Sequence, residues 1–195
     1  LLTQNILNLK PGQSTEALLL TPQGHIEHQL KIIITETGAL LITARVNLEG
    51  ILAWLKKMVF RSKVEIVERP ELLVAGGFFE YFAPCWIDGF SADPVGSVRY
   101  AAERAKFGYR EYLIEGVPED KEPAGLLAYG GLRISAGRPE VTDIDNRSLP
   151  HEFDWLSSAV HLSKGCYRGQ EAVSKIHNLG HPPRRLVILN LEQGD

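Results

Sequence analysis

The chain has 195 residues, 44% of them hydrophobic and 23% charged, with a formal net charge of -3. That length allows one large domain or two small ones with a sizeable core. A charge so close to neutral argues against wholesale binding to nucleic acid or to an anionic membrane. No apolar run reaches the roughly 18–20 residues of a membrane span, and no secretory signal opens the chain.

In chain order, Ala17 to Leu20 is a short apolar run ended by the turn signal Thr21-Pro22-Gln23-Gly24. His25 to Thr35 alternates at Leu30, Ile32 and Ile34 and reads as a strand. Glu36-Thr37-Gly38 turns it, and Ala39 to Ala44 returns, giving an antiparallel hairpin or meander. Asn47 is then expected to cap a helix. Leu48, Ile51, Leu52, Leu55, Met58 and Val59 fall at helical spacing, while Glu49, Lys56 and Lys57 face water.

Val64–Val67 and Leu72–Ala75 read as short strands, Pro84–Gly108 as mostly loop, and Glu111–Ile114 as a strand. Ala124–Ile134 has helical spacing and is stopped by Gly137-Arg138-Pro139. Thr142–Asp154 is polar and reads as a loop. Gln170–Asn178 is a short helix ended by Gly180 and Pro182-Pro183. Leu186–Glu192 reads as the start of a further strand. With Leu1 in place of Met, the chain is expected to be a fragment cut at both ends. Irregularly interleaved strands and helices predict an α+β fold. The expected parts are residues 1–85, 86–181 and 182–195.

The segment with the most chemistry is Ser163 to Glu171. Cys166 sits between Gly165 and Gly169, which permit tight backbone geometry and close approach of a ligand. Lys164 and Arg168 flank the thiol, and a helix begins just after it. Cations and a helix N-terminus both favour thiolate, so the pattern predicts a reactive, partly exposed cysteine. Cys85, the other cysteine, reads as a small buried residue, and no CxxC spacing is present.

The run Lys164-Gly165-Cys166-Tyr167-Arg168-Gly169-Gln170-Glu171 carries every fixed position of the KGCYxGQE fingerprint, and so resembles the YgfZ-type folate-binding proteins. These are relatives of the glycine-cleavage aminomethyltransferases (GcvT-like). Thr142-Asp143-Ile144-Asp145 and Leu149-Pro150-His151-Glu152 look like that family's loop before the fingerprint. His177-Asn178-Leu179-Gly180 to Val187 looks like its exit into a C-terminal barrel. Leu2-Thr3-Gln4-Asn5 and Leu18 to Gly24 look like its first domain.

The resemblance implies a folate-binding cloverleaf of mixed and antiparallel sheets with flanking helices, here lacking its third, β-barrel part. It implies tetrahydrofolate as ligand and iron–sulfur client or assembly proteins as partners, in the bacterial cytoplasm. Cys166 would be the essential, catalytic thiol. Lys164, Gly165, Tyr167, Arg168, Gly169, Gln170 and Glu171, with Arg133 and Ser135, would be the folate-contacting positions. No metal site is implied.

Two departures from the enzyme relatives stand out. Their paired Asp-Asp matches His28 and Gln29 here, and the Glu of their Arg-Leu-Glu-Ala-Gly segment matches Ser135 in Arg133-Ile134-Ser135-Ala136-Gly137. A neutral hydroxyl in place of a pterin-binding carboxylate costs about 1–2 kcal/mol of binding. Classical aminomethyl transfer is therefore disfavoured. Three readings stay open: a folate-linked accessory protein for iron–sulfur proteins, a one-carbon transferase with a rearranged acid/base set (His28, Asp143, Asp145), and a folate module in tRNA modification. The last ranks lowest, for want of a P-loop and of any basic patch beyond Arg184-Arg185. A cysteine hydrolase using His161, His177 or His181 lacks a supporting signature.

Overall fold

The computed structural model describes residues 1–90, 107–117 and 119–189. It is a mixed α+β structure with two small antiparallel sheets and three helices among the described residues. The first sheet has the order β1 (Ser14–Leu20), β2 (Ile26–Ile34), β3 (Ala39–Ile42). β1 pairs with β2 from Ser14 opposite Ile33 to Leu20 opposite Ile26, with an irregularity between Leu19 and Leu20. The second sheet has β6 (Arg110–Ile114) in the centre, flanked by β4 (Leu73–Gly77) and β5 (Cys85–Ile87).

β1 explains why four apolar residues can follow one another without a break. Side chains alternate across a strand. Ala17 and Leu19 join a core with Leu30, Ile32 and Ile51 of helix α1 (Arg45–Val59). Leu18 and Leu20 join the opposite core, with Trp155, Phe153, Tyr167 and Val173 of helix α3 (Gln170–Leu179). The strand is buried on both faces, as near-continuous apolar runs require. This second core draws on residues from both sides of position 85, and Trp86 ties the sheets together by donating its indole N–H to the Thr15 carbonyl at 2.9 Å.

Four expectations change. Asn47 does not cap α1: the helix begins at Arg45 after Ala44, which makes no side-chain cap bond, so Asn47 lies inside the first turn. Val64–Val67 is not a strand: nothing pairs with it among the described residues, and Val64 and Val67 are exposed. Leu186–Leu189 is likewise outside any strand, and the rest of that expected strand lies beyond the described residues. The polar stretch Thr142–Asp154 is not an open loop. It holds 3-10 turns at Val141–Asp143 and Pro150–Phe153, and the second is buried throughout. The expected loop Pro84–Gly108 contains β5, and its residues 91–106 lie outside the described ones. Helix α2 (Leu126–Ser135) and α3 stand where helical spacing predicts them.

A buried basic group in that compact 3-10 segment has a measurable consequence. His151 is 1% exposed, and burial pushes its imidazole down to about 4. The unfolded histidine titrates near 6.5. Between these values the unfolded state binds more protons, so stability is full above pH 6.5 and falls as pH drops toward 4. The expected loss is about 3 kcal/mol at most. Denaturant titrations across that window should show the slope in the wild type and a shallower one in His151→Gln.

Candidate functional site

A cleft of about 790 Å³ opens between β2, α1, the 3-10 segment and the fingerprint loop. β2 contributes Glu27 and His28. α1 contributes Asn47, Gly50, Trp54 and Lys57, spaced three, four and three apart and so aligned along one helix face. Ile144, Asp145 and Asn146 close one side and Arg168 another. Gly50 lets the imidazole approach the helix: a Cβ there would lie 3.3 Å from His28 Cε1.

The cleft's charges are mostly paired already. Arg168 donates two hydrogen bonds to Glu27, at 2.9 and 3.2 Å. Arg184 forks onto Asp145 at 2.8 and 3.2 Å and also reaches Glu152. The hydrogen bonds from Arg184, the Arg147 amide and Ser148 hold the Asp145 carboxyl well below the usual carboxylate range. Lys57 has no ion-pair partner among the described residues. His28 is pushed below the ordinary histidine value, chiefly by burial, with Glu27 opposing. Its Nδ1 and the Nδ2 of Asn47 are buried without a hydrogen-bond partner. Such unmet capacity is rare in native interiors, and here two instances line one cleft.

A second recess of about 470 Å³ adjoins, lined by Leu1, Trp54, Met58, Cys166, Tyr167 and Arg168. Trp54 and Arg168 therefore belong to both walls. Cys166 is exposed in this recess. Cys85, by contrast, is half-buried, and burial pushes its thiol up.

The fingerprint residues divide by role. Lys164 donates to the carbonyls of Leu2 (2.6 Å) and Gln4 (3.1 Å), pinning the N-terminal segment, and burial lowers its ammonium from the usual lysine value. Tyr167 packs into the core, where burial pushes its phenol up to about 12. Gly169 has φ +82° and precedes α3. A Cβ on it would meet the Thr21 carbonyl oxygen at 2.5 Å and Gly24 Cα at 3.1 Å. It docks the loop onto the β1–β2 turn, where Gly24 itself has φ +85°. Gly165 has open space around it. Gln170 donates to the Lys164 carbonyl at 3.4 Å, and Glu171 is exposed on the first turn of α3.

Arg133 and Ser135 are elsewhere. Arg133 forks onto Asp143 at 2.7 and 3.1 Å, Ser135 is exposed on α2, and neither lines the cleft or the recess. Gln29 is part of the framework: it donates to Glu16, and its carbonyl accepts from the Val141 amide at 3.0 Å. Of the pair matching the relatives' acids, only His28 faces the cleft. Glu27, Asn47, Trp54 and Lys57 are cleft residues that the sequence did not mark as site residues: Asn47 read as a helix cap and Lys57 as a solvent-facing charge. The helical spacing of Asn47, Trp54 and Lys57 was the available signal.

No family model matches the chain. A chloroplastic protein of Arabidopsis thaliana, named a putative transferase, is 37% identical over 73 residues, covering 35% of this chain and 16% of that protein. An aminomethyltransferase of Rippkaea orientalis is 31% identical over 232 residues, covering 98% of this chain and 61% of the relative. The chain thus spans about three fifths of that aminomethyltransferase and a much smaller part of the plant protein. A likeness running along nearly the whole chain supports a place in the broad aminomethyltransferase (GcvT-like) superfamily.

Proposed function

We propose that this chain is a folate-linked accessory protein: the cleft between β2 and α1 binds tetrahydrofolate, and Cys166 is the thiol essential to iron–sulfur cluster assembly or repair in the cytoplasm. The observation that carries the reading is the Cys166 loop in the wall of a cleft of ligand size. The lining suits a flat ligand with a polar edge and an anionic end. Trp54 offers a ring, His28 Nδ1 and Asn47 Nδ2 have unmet hydrogen-bonding capacity, and Lys57 offers an unpaired charge among the described residues. Tetrahydrofolate would supply a one-carbon carrier. The chain's own residues would bind and orient it. Iron–sulfur proteins would be clients that meet the exposed thiol.

One observation favours a second reading, a folate-dependent one-carbon transferase. His28 faces the cleft with its imidazole held below the ordinary value, so it is neutral at pH 7 and able to take a proton. Against it, Gln29 is committed to the framework and Ser135 stands outside the cleft.

Cys166→Ala separates the two. Because the thiol is exposed, stability should move by no more than about 0.5 kcal/mol. The activity of an iron–sulfur enzyme in cells lacking the wild-type protein should fall to the level of the null strain. Full complementation by Cys166→Ala would remove the thiol from the function.

A further inference from the structure

Arg168 occupies the variable position of the fingerprint, yet it stands at the junction of the two cavities. Its loop is fixed on both sides. Lys164 is held by the Leu2 and Gln4 carbonyls, and Gly169 is packed against Thr21 and Gly24. Between those points the guanidinium reaches across to Glu27 on β2, and the pair closes with two parallel hydrogen bonds. Both side chains are 33% exposed, so the pair is reachable from solvent and is not part of the core.

A guanidinium fork is shaped for a planar carboxylate. Here the chain supplies that carboxylate itself. We infer that Glu27 is a built-in stand-in for a ligand carboxylate: it masks Arg168, and a carboxylate-bearing small molecule in the cleft displaces it, opening the wall toward Cys166. Glu27 and Arg168 are then the specificity residues of the site. The exchange costs little, because an ion pair one-third exposed to solvent is worth only a fraction of its Coulomb energy. The outcome is coupling of cleft occupancy to thiol access, through Arg168 and Trp54, which line both cavities. The inference rests on the cleft being a ligand site, and not on the ligand being a folate.

The test reads the labelling rate of Cys166 with two reagents in the full chain, with Cys85 followed separately by peptide mass. One reagent is the dianionic disulfide dithiobis-nitrobenzoate, and the other is neutral iodoacetamide. Glu27→Gln, Arg168→Gln and the double variant are compared with wild type. Freeing Arg168 should raise the ratio of anionic to neutral rates in Glu27→Gln by roughly threefold at low salt, and high salt should erase the gain. The double variant should show no gain, since the responsible cation is gone. Saturating glutarate should slow the anionic reagent in Glu27→Gln and not in the double variant.

An unchanged ratio in Glu27→Gln overturns the mask. A gain that persists in the double variant, which has the wild-type net charge and no Arg168, cannot come from the freed guanidinium and also overturns it. Absence of glutarate protection overturns the carboxylate assignment. None of these reagents is a folate, so failure of folate binding and failure of the mask are read independently.

Discussion

Gly169→Ala is expected to destabilise the protein by about 3 kcal/mol and to release the Cys166 loop. Two costs add. Gly169 has φ +82°, a conformation that charges any residue with a Cβ. That Cβ would also sit 2.5 Å from the Thr21 carbonyl oxygen, with Gly24 Cα and Leu20 Cβ both at 3.1 Å. None of these neighbours is the far end of a flexible side chain, so the backbone of the turn must give way. Gly165→Ala is the internal control. It has nothing within 4 Å of the added Cβ and should cost under about 1 kcal/mol. Denaturant midpoints of the two variants measure the contrast. Equal effects would mean that the loop is not docked through Gly169.

The second large effect is at Arg138, which is 2% exposed. Its guanidinium donates to Glu16 at 2.8 Å and to Asp88 at 2.8 Å, and its remaining nitrogen reaches the Pro139 carbonyl. Burial alone would lower its pKa, but the two carboxylates outweigh burial and raise it. Asp88 shows the opposing pull. Burial raises its carboxyl above the ordinary value, and Arg138 holds that rise in check. Arg138→Met leaves two buried carboxylates without their cation, at a cost of about 3–5 kcal/mol. The deficit should shrink as pH falls. In the variant the folded Asp88 carboxyl, raised by burial and no longer opposed by Arg138, binds its proton more tightly than the unfolded one, so stability drops as pH rises past the unfolded value near 4. Thermal denaturation at pH 5 and pH 8 checks both size and sign. A pH-independent deficit would point to lost packing.

What the sequence could and could not disclose follows from how far apart the interacting residues lie. β2, α2 and α3 are governed by local periodicity and by Gly and Pro punctuation, and were legible, whereas of β1 only the apolar run Ala17–Leu20 and the turn after it stood out. Thr142–Asp154 was not. Its polar residues suggest a solvated loop, yet Glu152 is met by Arg184, 32 residues on, and His151 is buried. Val64–Val67 has the composition of a strand but no neighbour to pair with among the described residues, and composition cannot supply one.

The site divided in the same way. The fingerprint announced Cys166 and its loop, and the structure sets that loop in a cavity wall. It could not announce that Lys164 and Arg168 meet carbonyls and a carboxylate from residues 2–27, because those partners lie over 130 positions away. The irregularity between Leu19 and Leu20, beside the start of β2, is also silent in a residue pattern, although Glu27 and His28 share the cleft just after it. Gln29 could be matched to a catalytic acid of the relatives on sequence alone. Its bonds to Glu16 and Val141 identify it as framework.

The central claim is that the cleft lined by His28, Asn47, Trp54 and Arg168 is a folate site. Calorimetric titration of the full-length protein with tetrahydrofolate, in parallel with Cys166→Ala and Trp54→Ala, tests it most directly. Saturable one-to-one binding in wild type and in Cys166→Ala, weakened about tenfold or more in Trp54→Ala by loss of a stacking ring, is the predicted result. Absence of saturable heat in the wild type, or equal affinity in Trp54→Ala, would contradict it.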